Sequence, residues 1–332
     1  MRVAILGATG AVGRTMLQIL EERQFPAEAI VPLASERSAG RTIAWRGRDW
    51  RVEAPAAARF EGCDIALFSA GAARSREWAP VAARTGAIVI DNSSAWRMDA
   101  RVPLVVPEVN GAAAAERPLN IIANPNCVTI QLVIALAALH QARPLRRVIV
   151  TALQAVSGAG QTGIAALEAE LAGRTASASP FVARIAGNAI PYIGARRADG
   201  WNEEELKIRA ETRKILGLPQ LPVAATCVRV PVITGHSISA TVECDGAIGM
   251  DEARVALSAM NGLVLADAER DPLPAQAAGT DGVHVGHLRA DEDAPNVLHL
   301  WIVADNLRKG AATNAVQIAE TVTAVAAGTR HG

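Results

Sequence analysis

The sequence predicts a two-domain α/β protein in which a parallel sheet with helices on both faces precedes an α+β domain with a larger mixed sheet. Three observations support this prediction. The chain has 332 residues, a length that favours two domains. Short apolar strand candidates alternate with helical segments through residues 1–126. In residues 127–305 the strand candidates are longer, and helices separate only some of them.

Short runs of β-forming apolar residues mark the strands of both domains. In the first domain the predicted strands are Arg2–Leu6, Ala29–Leu33, 64–68, 88–90 and Ile121–Ala123. In the second domain they are 145–156, 223–232, 237–244, 282–290 and Val297–Ala304. Helical periodicity appears over 15–22, and an Ala-rich amphipathic helix is predicted over 310–327.

Composition and charge exclude several classes of protein. Half of the residues are hydrophobic, so the chain can bury a large core and is not expected to be disordered. Lys+Arg and Asp+Glu are 33 each, so no nucleic-acid footprint is expected. Four cysteines without CxxC or zinc spacing indicate a reducing, cytoplasmic location. The first residues enter a strand at once, and no run of apolar residues is long enough to span a membrane, so neither a signal peptide nor a membrane anchor is expected.

A glycine turn follows the first strand. Residues 7–13 read GATGAVG, a G-x-x-G-x-x-G pattern between a strand and a helix. Glycines let the backbone approach a pyrophosphate, and the helix N-terminus offers free N–H groups. The alternative is a tight turn that binds nothing, but the strand–turn–helix context favours a dinucleotide site. The expected contacts are Gly7, Thr9, Gly10, Ala11, Val12 and Gly13.

The end of the second strand indicates which dinucleotide binds. Ser35, Arg37 and Ser38 suit the 2′-phosphate of NADP, whereas an NAD site uses an acid at this position. Glu36 is such an acid, although it is equally compatible with a solvent-facing side chain. Arg37 taken alone is as well explained by a surface arginine. The sequence favours NADP(H).

One of the four cysteines lies where a helix is predicted to begin. Asn124-Pro125-Asn126-Cys127 precedes an apolar run of helical length, whereas the other three cysteines lie among strand candidates and are predicted to be small core residues. The helix dipole and its free N–H groups favour a thiolate and can also hold an oxyanion. Cys127 is therefore the candidate nucleophile.

Several motifs together resemble the aspartate-semialdehyde dehydrogenase family. They are the segment ending at Cys127, QAVSGAG at 154–160, RVPV at 229–232, GHS at 235–237, GATGAVG, ASERSAG at 34–40, FSAG at 68–71, DNSS at 91–94 and DNLRKG at 305–310. The resemblance runs through nearly the whole chain. It implies a Rossmann domain, residues 1–126 completed by 306–332, joined to a catalytic and dimerisation domain at 127–305, as in glyceraldehyde-3-phosphate dehydrogenase.

The resemblance also implies a reaction and an assembly. NADPH reductively dephosphorylates L-4-aspartyl phosphate through a cysteine acyl-thioester, giving L-aspartate 4-semialdehyde and phosphate. This step belongs to the biosynthesis of lysine through diaminopimelate, and of threonine, methionine and isoleucine. A homodimer or homotetramer is implied, with small-molecule substrates and no metal.

The matching residues take on the family's roles by resemblance. Cys127 matches the nucleophile and His236 the general acid/base. The substrate contacts match Gln154 for the acyl group, Arg229 for the α-carboxylate and Glu204 for the α-amino group. The phosphate contacts match Arg97, Asn126 and Lys207. Further cofactor contacts match Ser157, Gly158 and Asn306.

Local readings of the same residues leave alternatives open. Lys207, taken alone, is typical of a solvated Glu–Lys helix face, and His236 of a polar residue in a turn. Glu203, Glu204 and Glu205 follow one another, so the amino-group contact is ambiguous by one position. Val128 stands where the family often has Ser, and residues 183–200 match it only loosely. The remaining histidines lack acid–His ligand spacing, and a structural role is expected for them.

Chemistry and spacing separate three rival functions. N-acetyl-glutamyl-phosphate reductase runs the same chemistry on a longer substrate, but the spacings around Cys127 and Arg229 favour the aspartyl enzyme. A short-chain dehydrogenase needs Tyr-x-x-x-Lys, whereas the single tyrosine, Tyr192, is followed by Arg196. A non-catalytic dinucleotide-binding paralogue has no need for the candidate catalytic residues. The strand carrying Arg229, a turn and a returning strand from His236 are predicted to aim both side chains into one cleft.

Overall fold

The computed structural model describes residues 1–267 and 269–328, with only the backbone described for 325–328. Contacts within the chain define two compact units, one containing residues 1–125 and 311–328, the other Asn126–Gly310. Of the predicted returning segment, 306–310 lie in the second unit and 311–328 in the first. Residues 329–332 of that segment lie outside the described residues.

The first unit is built on a parallel sheet of five strands. Its strands are β1 (Arg2–Leu6), β2 (Ala29–Leu33), β5 (Ile65–Phe68), β6 (Ile88–Asp91) and β7 (Ile121–Ala123), in the spatial order β2-β1-β5-β6-β7. Every neighbouring pair is parallel. A separate antiparallel hairpin, which the sequence analysis did not predict, pairs β3 (Thr42–Trp45) with β4 (Arg48–Arg51).

Helices of this unit bury the apolar faces of its sheet. They are α1 (Ala11–Glu22), α2 (Ala57–Phe60), α3 (Ala72–Arg84), α4 (Pro107–Asn110) and α10 (Thr313–Gly328). The C-terminal helix α10 packs its apolar residues into the same core as α1 and β1. The Asn314 side chain donates to Asn124 Oδ1 at 2.7 Å, and Arg23 forms two 2.7 Å hydrogen bonds with Glu320. These contacts attach α10 to the unit that the N-terminal sequence begins.

A mixed sheet of six strands organises the second unit. Its strands are β8 (Leu145–Gln154), β9 (Val223–Arg229), β10 (His236–Cys244), β11 (Leu263–Leu265), β12 (Val283–Ala290) and β13 (Val297–Ala304), in the order β11-β12-β13-β10-β8-β9. β8 pairs parallel with β9 and antiparallel with β10. β10 therefore runs opposite to β9, as the predicted strand, turn and returning strand require, and β8 lies between the two strands.

The described residues of the second unit also form five α-helices. They are α5 (Cys127–Ala142), α6 (Gly160–Leu171), α7 (Glu203–Leu216), α8 (Met250–Ala259) and α9 (Pro274–Ala277). The helix α5 is apolar on all sides and almost wholly buried, as expected of a core helix. It packs against the sheet and against α7 and α8. Within the described residues, no helix combines the length and apolar character needed to cross a membrane.

Most predicted elements are confirmed, with bounds shifted by a few residues. The predicted strands 145–156 and 223–232 end at Gln154 and Arg229. The final helix begins at Thr313, after a π-helical turn at Arg308–Ala312. The predicted mixed sheet and the predicted parallel sheet are both present.

Candidate functional site

The glycine turn in the first unit requires glycine at two positions. Gly7 has φ +94°, and a Cβ there would overlap the carbonyl of Ser69. A Cβ on Gly13 would overlap the Gly7 carbonyl. The N-cap of α1 is Gly10, which has no side chain to cap the first turn. The turn therefore packs backbone against backbone and leaves the N-terminus of α1 available to an anion.

A cavity of about 680 Å³ opens beside this turn. Of the predicted cofactor contacts, Gly7, Thr9, Gly10, Ser35 and Arg37 line it, and so does Glu36. The other predicted contacts, Ala11, Val12, Gly13 and Ser38, are not among its lining residues, and Ser38 is buried. The volume, the bare helix N-terminus and the arginine fit a dinucleotide carrying an additional phosphate.

The cavity wall also includes residues that sequence reasoning missed. Arg74 and Trp78 of α3 line it together with the predicted residues. The indole Nε1 of Trp78 is buried and has no hydrogen-bond partner among the described residues. A helix that lies several elements further along the chain gives no local signal that it closes a cavity, so only the fold reveals these residues.

Arg97 lies in the first unit, in a turn fixed by a buried carboxylate. Asp91 Oδ2 accepts the Ser93 hydroxyl at 2.6 Å, and burial raises the pKa of Asp91. The Arg97 guanidinium donates to the carbonyls of Asn92 at 2.7 Å and Asn124 at 3.0 Å. The DNSS motif thus fixes the backbone that holds Arg97 in place.

In the second unit, Cys127 is the first residue of the buried helix α5. Asn126 is the N-cap, and its Oδ1 accepts from the backbone N–H of Val128 at 2.9 Å. Cys127 is partly exposed, unlike the other three cysteines, which are buried. Gly310 lies against it, since a Cβ on Gly310 would come within 3.1 Å of the Cys127 Cβ. The local sequence Asn-Cys followed by apolar residues therefore places the thiol at a capped helix start, as predicted.

Glu204 is held beside the start of α5, although α7 lies far along the chain. Its Oε1 accepts from the Asn126 carboxamide at 2.6 Å, and its Oε2 accepts from Lys207 at 3.4 Å. The Asn126 backbone N–H donates to Glu211 at 2.6 Å. Lys207, one turn further on α7, is thus part of the cluster through a Glu–Lys pair. Lys207 therefore lies on a Glu–Lys helix face, as its local sequence predicts, and is also linked through Glu204 to Asn126, the residue before Cys127.

The structure distinguishes the three consecutive glutamates. Glu205 forms a capping box with Asn202 and accepts the Cys227 backbone N–H at 3.2 Å, so it is a structural residue. Glu203 is exposed. Glu204 alone of the three contacts Asn126. The pattern N-x-x-E at 202–205 is a capping-box signature, a signal from which the role of Glu205 was predictable.

The backbone of Ala155 holds two predicted site residues. Its N–H donates to Nδ1 of His236 at 3.0 Å, and its carbonyl accepts from Arg229 Nη1 at 2.5 Å. Gln154 and Arg229 are register partners at the ends of β8 and β9. The sheet therefore brings Gln154, Arg229 and His236 together at one strand end, even though β9 and β10 are not neighbours.

Gly158 completes this cluster by having no side chain. A Cβ there would come within 2.9 Å of Arg229 Nη1 and 3.2 Å of His236 Cε1. The Nε2 atoms of His236 and Gln154 are buried, and neither has a hydrogen-bond partner within the described residues. Two orphaned nitrogens at one strand end are typical of a site built for a polar ligand.

The protonation of His236 follows from its surroundings. Burial, and then the positive charge of Arg229, hold the pKa of His236 well below 6.5, so the imidazole is neutral near pH 7. Since a backbone N–H can only donate, Nδ1 is the acceptor and the proton resides on Nε2. His236 thus directs an N–H group away from Ala155.

Negative charge at Cys127 affects the pKa of Arg229. Burial lowers the pKa of Arg229, while negative charge on Cys127 and Glu204 opposes that shift. Burial raises the pKa of Cys63, Cys227 and Cys244. Cys127 is therefore the thiol best suited to react.

The predicted cofactor contacts Ser157 and Asn306 bond to each other. Asn306 Nδ2 donates to Ser157 Oγ at 2.9 Å, and its Oδ1 accepts the Gly235 N–H at 2.9 Å. Both are buried. Their visible role is to connect the segment after β8 with the turn that precedes His236. Among the described residues, no group of three or more His, Cys, Asp and Glu side chains is placed to hold a metal.

Comparison with known proteins defines the class. The semialdehyde dehydrogenase NAD binding domain model matches residues 2–117, and the semialdehyde dehydrogenase dimerisation domain model matches residues 136–309. The fold and its candidate residues therefore define a two-domain semialdehyde dehydrogenase with a nicotinamide dinucleotide site.

Relatives narrow the class further. Aspartate-semialdehyde dehydrogenase of Aquifex aeolicus is 48% identical, with 96% of this chain and 97% of the relative covered. The crystal structure of Vibrio cholerae aspartate semialdehyde dehydrogenase II complexed with ASA has a TM-score of 0.93 and 45% identity, covering 97% of this chain and 98% of that one. The chain belongs to the aspartate-semialdehyde dehydrogenase family.

Proposed function

We propose that this chain catalyses the NADPH-dependent reductive dephosphorylation of L-4-aspartyl phosphate to L-aspartate 4-semialdehyde and phosphate. The observation that carries the proposal is the cluster of Gln154, Arg229 and His236 at one strand end, where two buried nitrogens have no hydrogen-bond partner within the described residues. The helix α5, which Asn126 caps and Cys127 begins, lies in the same unit. Arg229 can bind a substrate carboxylate, Gln154 and His236 can donate to an acyl oxygen, and the N-terminus of α5 can stabilise the Cys127 thiolate. The proposed reaction needs all three.

The substrate is held by its two ends. Arg229 offers a planar guanidinium to the α-carboxylate, and Glu204 offers a carboxylate to the α-amino group. Gln154 donates through its unpaired Nε2 to the acyl group. Arg97, Asn126 and Lys207 are the proposed phosphate contacts, with Lys207 supplying a compact point charge.

The thiolate of Cys127 attacks the acyl phosphate, and phosphate leaves as the thioester forms on sulfur. The Nε2–H of His236 donates a hydrogen bond to the acyl oxygen and stabilises the negative charge that develops there as each intermediate on Cys127 forms. That charge returns to the carbonyl bond as phosphate, and later the Cys127 thiolate, leaves. NADPH, when bound by the residues of the glycine turn and by Ser35 and Arg37, supplies the hydride that takes the thioester to the aldehyde level. Ser157, Gly158 and Asn306 are proposed as further cofactor contacts.

A reverse assay tests this function. NADP⁺ reduction is followed with L-aspartate 4-semialdehyde in the presence and absence of phosphate, and again with arsenate in its place. We expect reduction that depends on phosphate or arsenate. Preference for N-acetyl-glutamate 5-semialdehyde would instead indicate the activity of an N-acetyl-glutamyl-phosphate reductase. No activity with either semialdehyde contradicts the proposal.

We predict that the unmutated chain is much more efficient with NADPH than with NADH and that Arg37→Ala reduces this difference in efficiency. Arg37 and Ser35 line the cavity at the position expected for a 2′-phosphate, so the loss appears mainly in the KM for NADPH. The KM for each cofactor is measured in both chains. Arg41→Ala, which removes a nearby arginine that does not line this cavity, is the control. Equal efficiency with both cofactors before mutation contradicts the assignment.

We predict that Arg229→Lys lowers kcat/KM for the semialdehyde by at least about tenfold, or roughly 1.4 kcal/mol. Lysine keeps the charge but loses the bidentate fork, so the substrate is held less precisely, and much of the loss appears in kcat. The control substrate is 3-aminopropanal, which lacks the α-carboxylate. The two chains should handle it almost equally. A large difference on this substrate means that Arg229 acts elsewhere.

The proposal extends to assembly and location. We propose a homodimer or homotetramer, supported by the dimerisation-domain match and by one face of the mixed sheet on which Ile149 and Thr226 are exposed. Sedimentation equilibrium distinguishes the two states. A cytoplasmic location is supported by four cysteines, none of which forms a disulfide.

A further inference from the structure

We propose that Phe181 is a positioning residue that holds the Arg229 guanidinium and so determines selectivity for substrates with an α-carboxylate. The proposal rests on the proposed function, because it concerns the same substrate site. Phe181 lies in the connection between α6 and α7, residues 172–202, most of which has no regular structure. The centroid of its ring is 5.9 Å from Cζ of Arg229.

The connection is built onto Arg229 by its backbone. Ile190 N–H donates to the Arg229 carbonyl at 2.9 Å, and Arg229 N–H donates to the Ile190 carbonyl at 2.8 Å. Glu170 of α6 accepts the backbone N–H groups of Ile185 and Ala186, both at 2.8 Å. A segment without helix or strand is thus fixed at two points, one of which is the residue proposed to bind the carboxylate.

The Phe181 ring is held in place by packing. It packs, partly buried, against the apolar cluster that includes Leu167 and Ile185. A Cβ on Gly163 of α6 would come within 3.2 Å of Phe181 Cζ, so the absence of a side chain there makes room for the ring. The sequence gives no sign of this contact, since aromatic packing across 48 residues to Arg229 leaves no periodic pattern.

The guanidinium needs such a neighbour because it is buried. Arg229 is 5% exposed, and within the described residues its guanidinium makes one hydrogen bond, from Nη1 to the Ala155 carbonyl. A ring within about 6 Å attracts the cation and restricts where the planar group can turn. Rotation of the guanidinium would disturb the fork that a carboxylate requires. Phe181 therefore acts through Arg229 and makes no contact with the reacting atoms.

The test compares Phe181→Leu, Phe181→Tyr and Val182→Ala. Val182 is the neighbouring residue and is 68% exposed, so its truncation controls for changes to the loop. For Phe181→Leu we expect the KM for L-aspartate 4-semialdehyde to rise about tenfold. The kcat and the KM for phosphate should stay within about twofold, and 3-aminopropanal should be handled as before. Phe181→Tyr restores the KM because it keeps the ring.

A second measurement separates this inference from the proposed function. Binding of L-aspartate 4-semialdehyde to the Cys127→Ala chain is measured by calorimetry, with and without Phe181→Leu. Weaker binding in the double variant supports the inference. Equal binding, or an equal loss of activity on both aldehydes, overturns the role of Phe181 alone. No binding to Cys127→Ala overturns the proposed function and this inference with it.

Discussion

Replacing Cys127 with alanine is expected to lower kcat by a factor on the order of 10⁴ or more and to leave NADPH binding unchanged. Cys127 is the partly exposed thiol at the capped start of α5, whereas the other three are buried. Without it no thioester forms, and direct attack of hydride on the acyl phosphate has no controlled intermediate. Single-turnover kinetics and cofactor fluorescence measure the two quantities separately.

Thiol labelling provides the control for this variant. A substrate-derived adduct, trapped and digested, should map to Cys127 by mass spectrometry. Cys244→Ala, which removes a buried cysteine whose pKa is raised by burial, should retain activity. Labelling of Cys63, Cys227 or Cys244 with matching loss of activity would falsify the assignment.

His236→Asn is expected to lower kcat by about 10²–10⁴-fold. Asparagine can still accept the Ala155 N–H, so the strand end keeps its hydrogen bond while the Nε2 proton is lost. Since burial and Arg229 hold the pKa of His236 well below 6.5, any acidic limb due to this imidazole lies below pH 6.5 in the unmutated chain. The pH profile of kcat, recorded for both chains, should lose that limb in the variant. Retention of the limb contradicts the role of His236.

The same group makes stability depend on pH in a definite direction. An unfolded chain protonates His236 near its ordinary pKa, whereas the folded chain does not until the pH is much lower. The unfolded state therefore binds more protons between these two values, and the free energy of unfolding falls as the pH drops through that window. Urea unfolding at several pH values should show a weaker dependence for His236→Asn. An unchanged dependence means that the imidazole is not buried and neutral.

Local pattern was sufficient to predict a large part of this fold. The glycine turn, the strands β1, β2 and β7, and the placement of Cys127 at a helix start all follow from the order of neighbouring residues. Each depends on interactions within a few residues, such as backbone approach at Gly7 or the cap made by Asn126. Family motifs added the candidate residues, because the motifs are themselves short and local.

Tertiary structure decided which side chains meet. The capping-box signature marks Glu205 in the sequence, but only the fold shows that Glu204, and not Glu203, contacts Asn126. The sequence places Arg229 and His236 seven residues apart, but they meet through the backbone of Ala155, the residue that follows the intervening strand β8. Trp78 and Phe181 carried no signal at all.

The sequence by itself therefore determined the class of fold, the glycine turn and the position of the candidate nucleophile at a helix start. The tertiary structure alone decided the partners of Glu204, the common anchor of Arg229 and His236, and the contact of Phe181 with Arg229. The physical reason is range. Helix caps, turns and alternating apolar residues act over a few positions, whereas strand order and side-chain packing join residues whose separation along the chain leaves no periodic trace.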